Sequence, residues 1–202
     1  VDHQKADRVH IHEQICQLLV PICTSLPFLL SEKERKRGME QLVKRQKSTI
    51  DLAYSTAQEF VLGEKHKEAI PAALHALRLS TEAYGSNSVQ LVPVYLLLAE
   101  ASTGAGRLPE ASKYLSQAEW IVLSTPDCSA AVRYKLHRSL GLFCAAKGNF
   151  EQALYHLANY IYLASSAFGL KSIETSGGYF HMANVFFRQN KTDIANSLYA
   201  EV

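Results

Sequence analysis

Eight small residues at two positions that recur every 42 residues constrain this 202-residue chain more than any other feature. One column runs Ala57, Ala99, Gly141, Ala183 and the other Ala69, Ala111, Ala153, Ala195. With 24 alanines and 10 glycines in the whole chain, accidental filling of eight slots out of eight is improbable. Softer columns share the period: Leu98, Leu140, Met182; Tyr95, His137, Tyr179; and Leu79, Ile121, Leu163. Self-similarity at this length marks a repeat array, in which each unit buries its apolar face only against its neighbours.

The unit is clearest over residues 140–161. Leu140, Phe143 and Cys144 fall at helical spacing before Gly148 and Asn149, and Phe150, Ala153, Leu154, Leu157 and Ile161 do so after them. Two helices joined at a glycine make a hairpin, with Gly141 and Ala153 small where crossing helices approach closely. The period predicts helix pairs over 46–63 with 65–84, 88–104 with 108–124, 129–147 with 150–167, and 172–189 with 192–202. Turns between pairs fall at 84–87, 125–127 and 168–171, and Gly177-Gly178 reads as close packing between repeats.

The order large residue, Leu, small residue, turn glycine, aromatic, Ala is carried by His137, Leu140, Gly141, Gly148, Phe150 and Ala153, and it resembles tetratricopeptide repeats. The second repeat keeps Tyr95, Leu98, Ala99, Gly106 and Ala111, with Leu108 in the aromatic slot. Glu64 and Asn190 stand in the outer repeats' glycine slots, and His66 and Thr192 in their aromatic slots. A period of 42 against the family's usual length of about 34 adds roughly one turn per helix, a variant that resembles kinesin light chains. The resemblance implies an all-α solenoid of helical hairpins over 46–202, four repeats with the last incomplete. The apolar face of Ile194, Leu198 and Val202 then calls for further chain or a partner.

Residues 1–16 resemble the tail of a MYND-type zinc finger through Gln4, Ala6, Asp7 and a His-x3-Cys pair, His12 and Cys16, whose spacing puts both side chains on one helical face. His3 would take an earlier Cys slot, with His10 a competing ligand. The same histidines read equally well as surface residues of an amphipathic helix. The resemblance implies zinc, held by His3, His12 and Cys16 with further ligands before Val1, since the chain starts without Met and reads as a fragment.

Residues 17–45 are a connector and a projecting basic helix. Pro21 and Pro27 break the apolar stretch 15–30, which makes a poor membrane span, and Ser31 with Glu34 has the pattern of a capping box. From there Met39, Leu42, Val43, Gln46, Ile50, Ala53, Ala57, Phe60 and Val61 hold one face, predicting a single helix of about 32–62. Its first half carries Lys33, Arg35, Lys36, Arg37, Lys44, Arg45 and Lys47 against Glu32, Glu34 and Glu40. A solvated face explains this most simply, with an acidic protein surface as the sharper reading and nucleic acid behind it.

No phosphate-binding loop, nucleophile elbow, HExxH or carboxylate pair points to catalysis, and a formal net charge of +2 selects no partner. Four cysteines without a CxxC pair favour a reducing, intracellular setting. In tetratricopeptide arrays the first helix of each repeat lines a concave groove, which places Tyr54, Gln58, Leu96, Glu100, Lys135, Arg138, Phe180, Asn184 and Phe187 toward a protein partner. That mixed set lacks the cation and amide clamp for a terminal carboxylate and suits a helix or folded segment. The expected function is a non-enzymatic protein-interaction scaffold. The combined MYND and repeat resemblance implies a structural component of the axoneme of motile cilia and sperm flagella, with axonemal repeat or dynein-associated partners. The alternatives are a fragment of a MYND/SET-type lysine methyltransferase and a peptide-binding co-chaperone-like adaptor.

Overall fold

A computed structural model describes residues 31–202; the zinc-ligand candidates His3, His12 and Cys16 and the connector prolines lie outside them. Within the described residues there are helices and no strand: α1 Glu32–Leu62, α2 His66–Tyr84, a 3-10 turn Val89–Leu91, α3 Val92–Gly104, α4 Leu108–Leu123, α5 Ala130–Ala146, α6 Phe150–Phe168, α7 Ile173–Arg188 and α8 Thr192–Tyr199. The chain divides into two compact units, one ending at Ala101 and the other starting at Ser102. In the first, α1 packs on α2; in the second, α4 to α8 pack each on the next.

The 42-residue period reappears as a period of backbone hydrogen bonds. The N–H groups of Lys65, Arg107, Asn149 and Lys191 reach back to the carbonyls of Phe60, Ser102, Cys144 and Phe186 at 2.8 to 3.0 Å. In each case the residue before the donor is left-handed: Glu64, Gly106, Gly148 and Asn190 have φ of 57°, 76°, 79° and 59°. This is the closure that ends a helix by reversing one residue's handedness, satisfying a carbonyl that the helix leaves unpaired. Glu64 and Asn190 adopt it despite their side chains, at a cost of roughly 1–2 kcal/mol each, because the packed helices on either side dictate the turn.

Both small-residue columns are buried: Ala57, Ala183, Ala69, Ala111, Ala153 and Ala195 have no accessible surface, and Ala99 has 1%. A Cβ on Gly141 would lie 2.8 Å from Leu157 Cγ, so α5 and α6 touch there at the backbone. Gly178 plays the same part between α6 and α7, where a Cβ would meet Ile161 Cγ1 at 2.5 Å. Close packing is therefore what the glycine pair does, although it sits in the second turn of α7. Around these contacts Tyr134, Leu157, Tyr160 and Val185 form one buried cluster of the second unit, the two tyrosine rings stacked at 5.6 Å. The Tyr160 hydroxyl donates to the Glu174 carbonyl at 2.7 Å, removing the cost of burying it.

Three local expectations are corrected. Ser31 is the N-cap of α1, but its side chain accepts no hydrogen bond; the first turn is exposed, so water can serve the free N–H groups in place of a capping box. The helix expected from 88 starts instead as a 3-10 turn, because Pro93 has no N–H to donate and the chain closes by Leu91 to the Ser88 carbonyl at 3.0 Å. The last helix ends at Tyr199, short of 202. The single long helix from 32 is as expected, fully buried along one stripe only from Thr49 onward.

Candidate partner-binding surfaces

In the first unit the groove residues divide. Tyr54 is half-buried, and its hydroxyl pKa is raised above the ordinary value by burial and then by the Glu100 carboxylate, so the two predicted residues lie within electrostatic reach of each other. Gln58 is exposed, whereas Leu96 is 7% exposed and belongs to the core, where no partner reaches it.

In the second unit Lys135 is exposed on α5, and one turn on, the Arg138 Nε donates to His181 Nε2 of α7 at 3.3 Å. Arg138 also lies close enough to Tyr134 and Tyr160 to oppose the burial that raises their hydroxyl pKa values. It is a guanidinium fixed by α7 and backed by stacked rings. Asn184 accepts from the Tyr199 hydroxyl at 2.6 Å, and Phe180 lies 6.0 Å from the Tyr199 ring, so α8 orients both. Phe180 and Phe187 remain 44% and 58% exposed.

The opposite side of α5 carries a feature that periodicity alone did not single out. Arg133, Leu136, His137 and Leu140, at the spacing of one helical face, floor a cleft of about 440 Å³ walled by Leu123 of α4 and Tyr162 of α6. Leu123 and Tyr162 are 77% and 69% exposed. Arg133 Nη2 donates to the Pro126 carbonyl at 2.7 Å, bracing the loop at one end. At the other, His137 and His156 face each other with Nδ1 atoms 3.1 Å apart. Burial, then the neighbouring His156, hold the His137 pKa below the ordinary imidazole value, with Glu119 opposing; burial lowers that of His156.

The basic residues from Lys33 to Lys47 are all exposed along the first half of α1. Among the described residues no group of three or more His, Cys, Asp or Glu is arranged to hold a metal ion, and no helix is long and apolar enough to cross a membrane. Cys128 and Cys144 are free thiols.

No family profile matches the chain. Its backbone, however, is similar over 95% of its length to the crystal structure of BtubC (BKLC) from P. vanneervenii, of which it covers 71%, with a TM-score of 0.64 at 15% identity. The fold is tetratricopeptide-like. A kinesin-light-chain-like protein of Podosopora anserina with nearly identical TPR-like repeats, in its Q17M form, agrees: TM-score 0.51, 16% identity, 98% of this chain and 90% of that one. At such identities the likeness concerns the fold, and the 42-residue tetratricopeptide-like hairpin is common ground between sequence and structure.

Proposed function

We propose that this chain is a non-catalytic scaffold that holds other proteins on the face carried by the first helices of its repeats. One observation carries this reading: in the second unit that face presents an ordered cation, Arg138 fixed by His181, together with exposed Lys135, Phe180 and Phe187. Aromatic anchors and arginine are the residues on which interface energy concentrates. Partners would be helices or folded segments, since the set lacks a clamp for a chain terminus. The sequence also resembles zinc finger MYND domain-containing protein 12, and on that resemblance the scaffold works in the axoneme of motile cilia and sperm flagella beside other repeat or dynein-associated proteins.

Pull-down from ciliated cells tests the surface. Lys135→Glu and Arg138→Glu should each reduce partner recovery by about tenfold, the order expected when a charge at an interface is reversed, while the helical melt of the exposed Lys135 variant stays unchanged. Unchanged recovery with both variants would remove this face from consideration, and recovery of chromatin proteins alone would remove the axoneme. Zinc follows the same resemblance: His3, His12 and Cys16 leave a tetrahedral site one ligand short, so residues 1–202 by themselves should carry less than one zinc per chain by elemental analysis. A full equivalent would overturn that ligand set.

A further inference from the structure

The first half of α1 combines two features that the groove reading leaves unused. From Thr49 onward the helix buries one stripe, Thr49, Ile50, Ala53, Ala57 and Val61, with α2 packed on the helix. The same stripe continues toward the N-terminus through Gln46, Val43, Leu42 and Met39, half-buried at Gln46 and Leu42 and open at Val43 and Met39, which are 60% and 61% exposed. The spacing 39, 42, 46, 49, 53 alternates steps of three and four, the pattern by which one helix receives another. On a helix of 3.6 residues per turn, Lys36 and Lys47 flank the open stripe beside Val43, and Arg35 continues the stripe itself one turn before Met39. Seven exposed cations against three carboxylates over 32–47 set the sign of whatever lies beside it.

We propose that this open half of α1 docks an acidic amphipathic helix of a partner protein, its apolar stripe on Met39, Leu42 and Val43 and its carboxylates on Arg35, Lys36 and Lys47. An apolar seam with flanking charges is how paired helices choose partner and orientation. A nucleic acid would use the cations without the stripe, and a neutral apolar helix would use the stripe without the cations. An anionic lipid surface uses both, but it takes a broad apolar face, whereas a narrow seam of three-and-four spacing is the footprint of a second helix. Both features are present on one face, and an acidic helix uses both. The site is separate from the first-helix face of the repeats and does not depend on it.

The probe is a fluorescently labelled synthetic peptide with leucines at heptad seam positions and glutamates beside them, titrated against the whole chain by anisotropy. Binding should weaken by about tenfold or more in Lys36→Glu/Lys47→Glu and in Met39→Ser/Val43→Ser, and a peptide with lysines in place of the flanking glutamates should recover the first variant but not bind the natural chain. Arg138→Glu should change none of this, which separates failure here from failure of the groove. Far-UV circular dichroism checks that both variants, altered only at exposed positions, keep their helices; a variant that loses them is replaced by Arg35→Glu, for which the same weakening is expected. Equal binding of polyglutamate, of duplex RNA or of phosphatidylserine vesicles would overturn the proposal, as would affinity unchanged by either double variant.

Discussion

At Ala153 the side chain has no accessible surface, and a Cβ on Gly141 would come within 3.4 Å of its carbonyl oxygen. Ala153→Leu therefore forces three extra carbons between two helices already in backbone contact, and should cost about 1–3 kcal/mol, measured by urea or thermal melts. Ala158→Leu, on the exposed side of the same helix, should stay within about 0.5 kcal/mol; equal effects would mean that the crossing point lies elsewhere. These positions were legible in the sequence because a helix crossing makes a steric demand that one residue must meet, four times over. The left-handed slot was legible as glycine at 106 and 148 and concealed at Glu64 and Asn190, where the tertiary contacts impose a conformation that the side chain alone would resist. Leu96 shows the opposite limit: periodicity assigns a residue to a face, but whether that face meets water or the core depends on what packs against it.

Between elements, a contact sensitive to solution pH joins α5 and α6 through His137 and His156. Their Nδ1 atoms, 3.1 Å apart, share a single proton comfortably, and the pair lies 19 residues apart in the chain, so no local pattern announces it. Both imidazoles have pKa values below the ordinary 6.5. The unfolded chain then binds more protons than the folded one as the solution is acidified, so the stability is fully present above the unfolded value and is lost as pH falls through the folded values. Melting temperature should be lower near pH 5 than near pH 7.5, and the difference should shrink in His156→Gln. A pH dependence identical in the variant would assign the acid lability to other groups. The cleft beside this pair was likewise invisible in the sequence, because its walls come from two other helices and a loop and only its floor, Arg133 to Leu140, shares one element's periodicity.

Across the whole molecule, stability is a property of neighbours. In the second unit α6 is covered by α5 on one side and α7 on the other, with Tyr160 bonded to Glu174 and Gly178 seated against Ile161. A chain ended at Gly169 should uncover Tyr160 and Ala164, lowering the melting temperature of what remains and broadening its transition, as calorimetry would show; an unaltered transition would mean that the hairpins fold independently. The order of the described helices was legible because the period is set by chain geometry, whereas the division at Ala101 was not, since it falls inside α3 at no break in the pattern. The long first helix has a mechanical side. Its 31 residues span about 46 Å, and one unbroken ladder of backbone hydrogen bonds runs from the open basic half into the half that packs on α2. A load applied at Lys36 is delivered to Ile50 and Ala53 through a stiff rod, with no loop between to take up slack. A protein gripped there would share the strain of its anchor directly, which is the property required of a strut rather than of a tether.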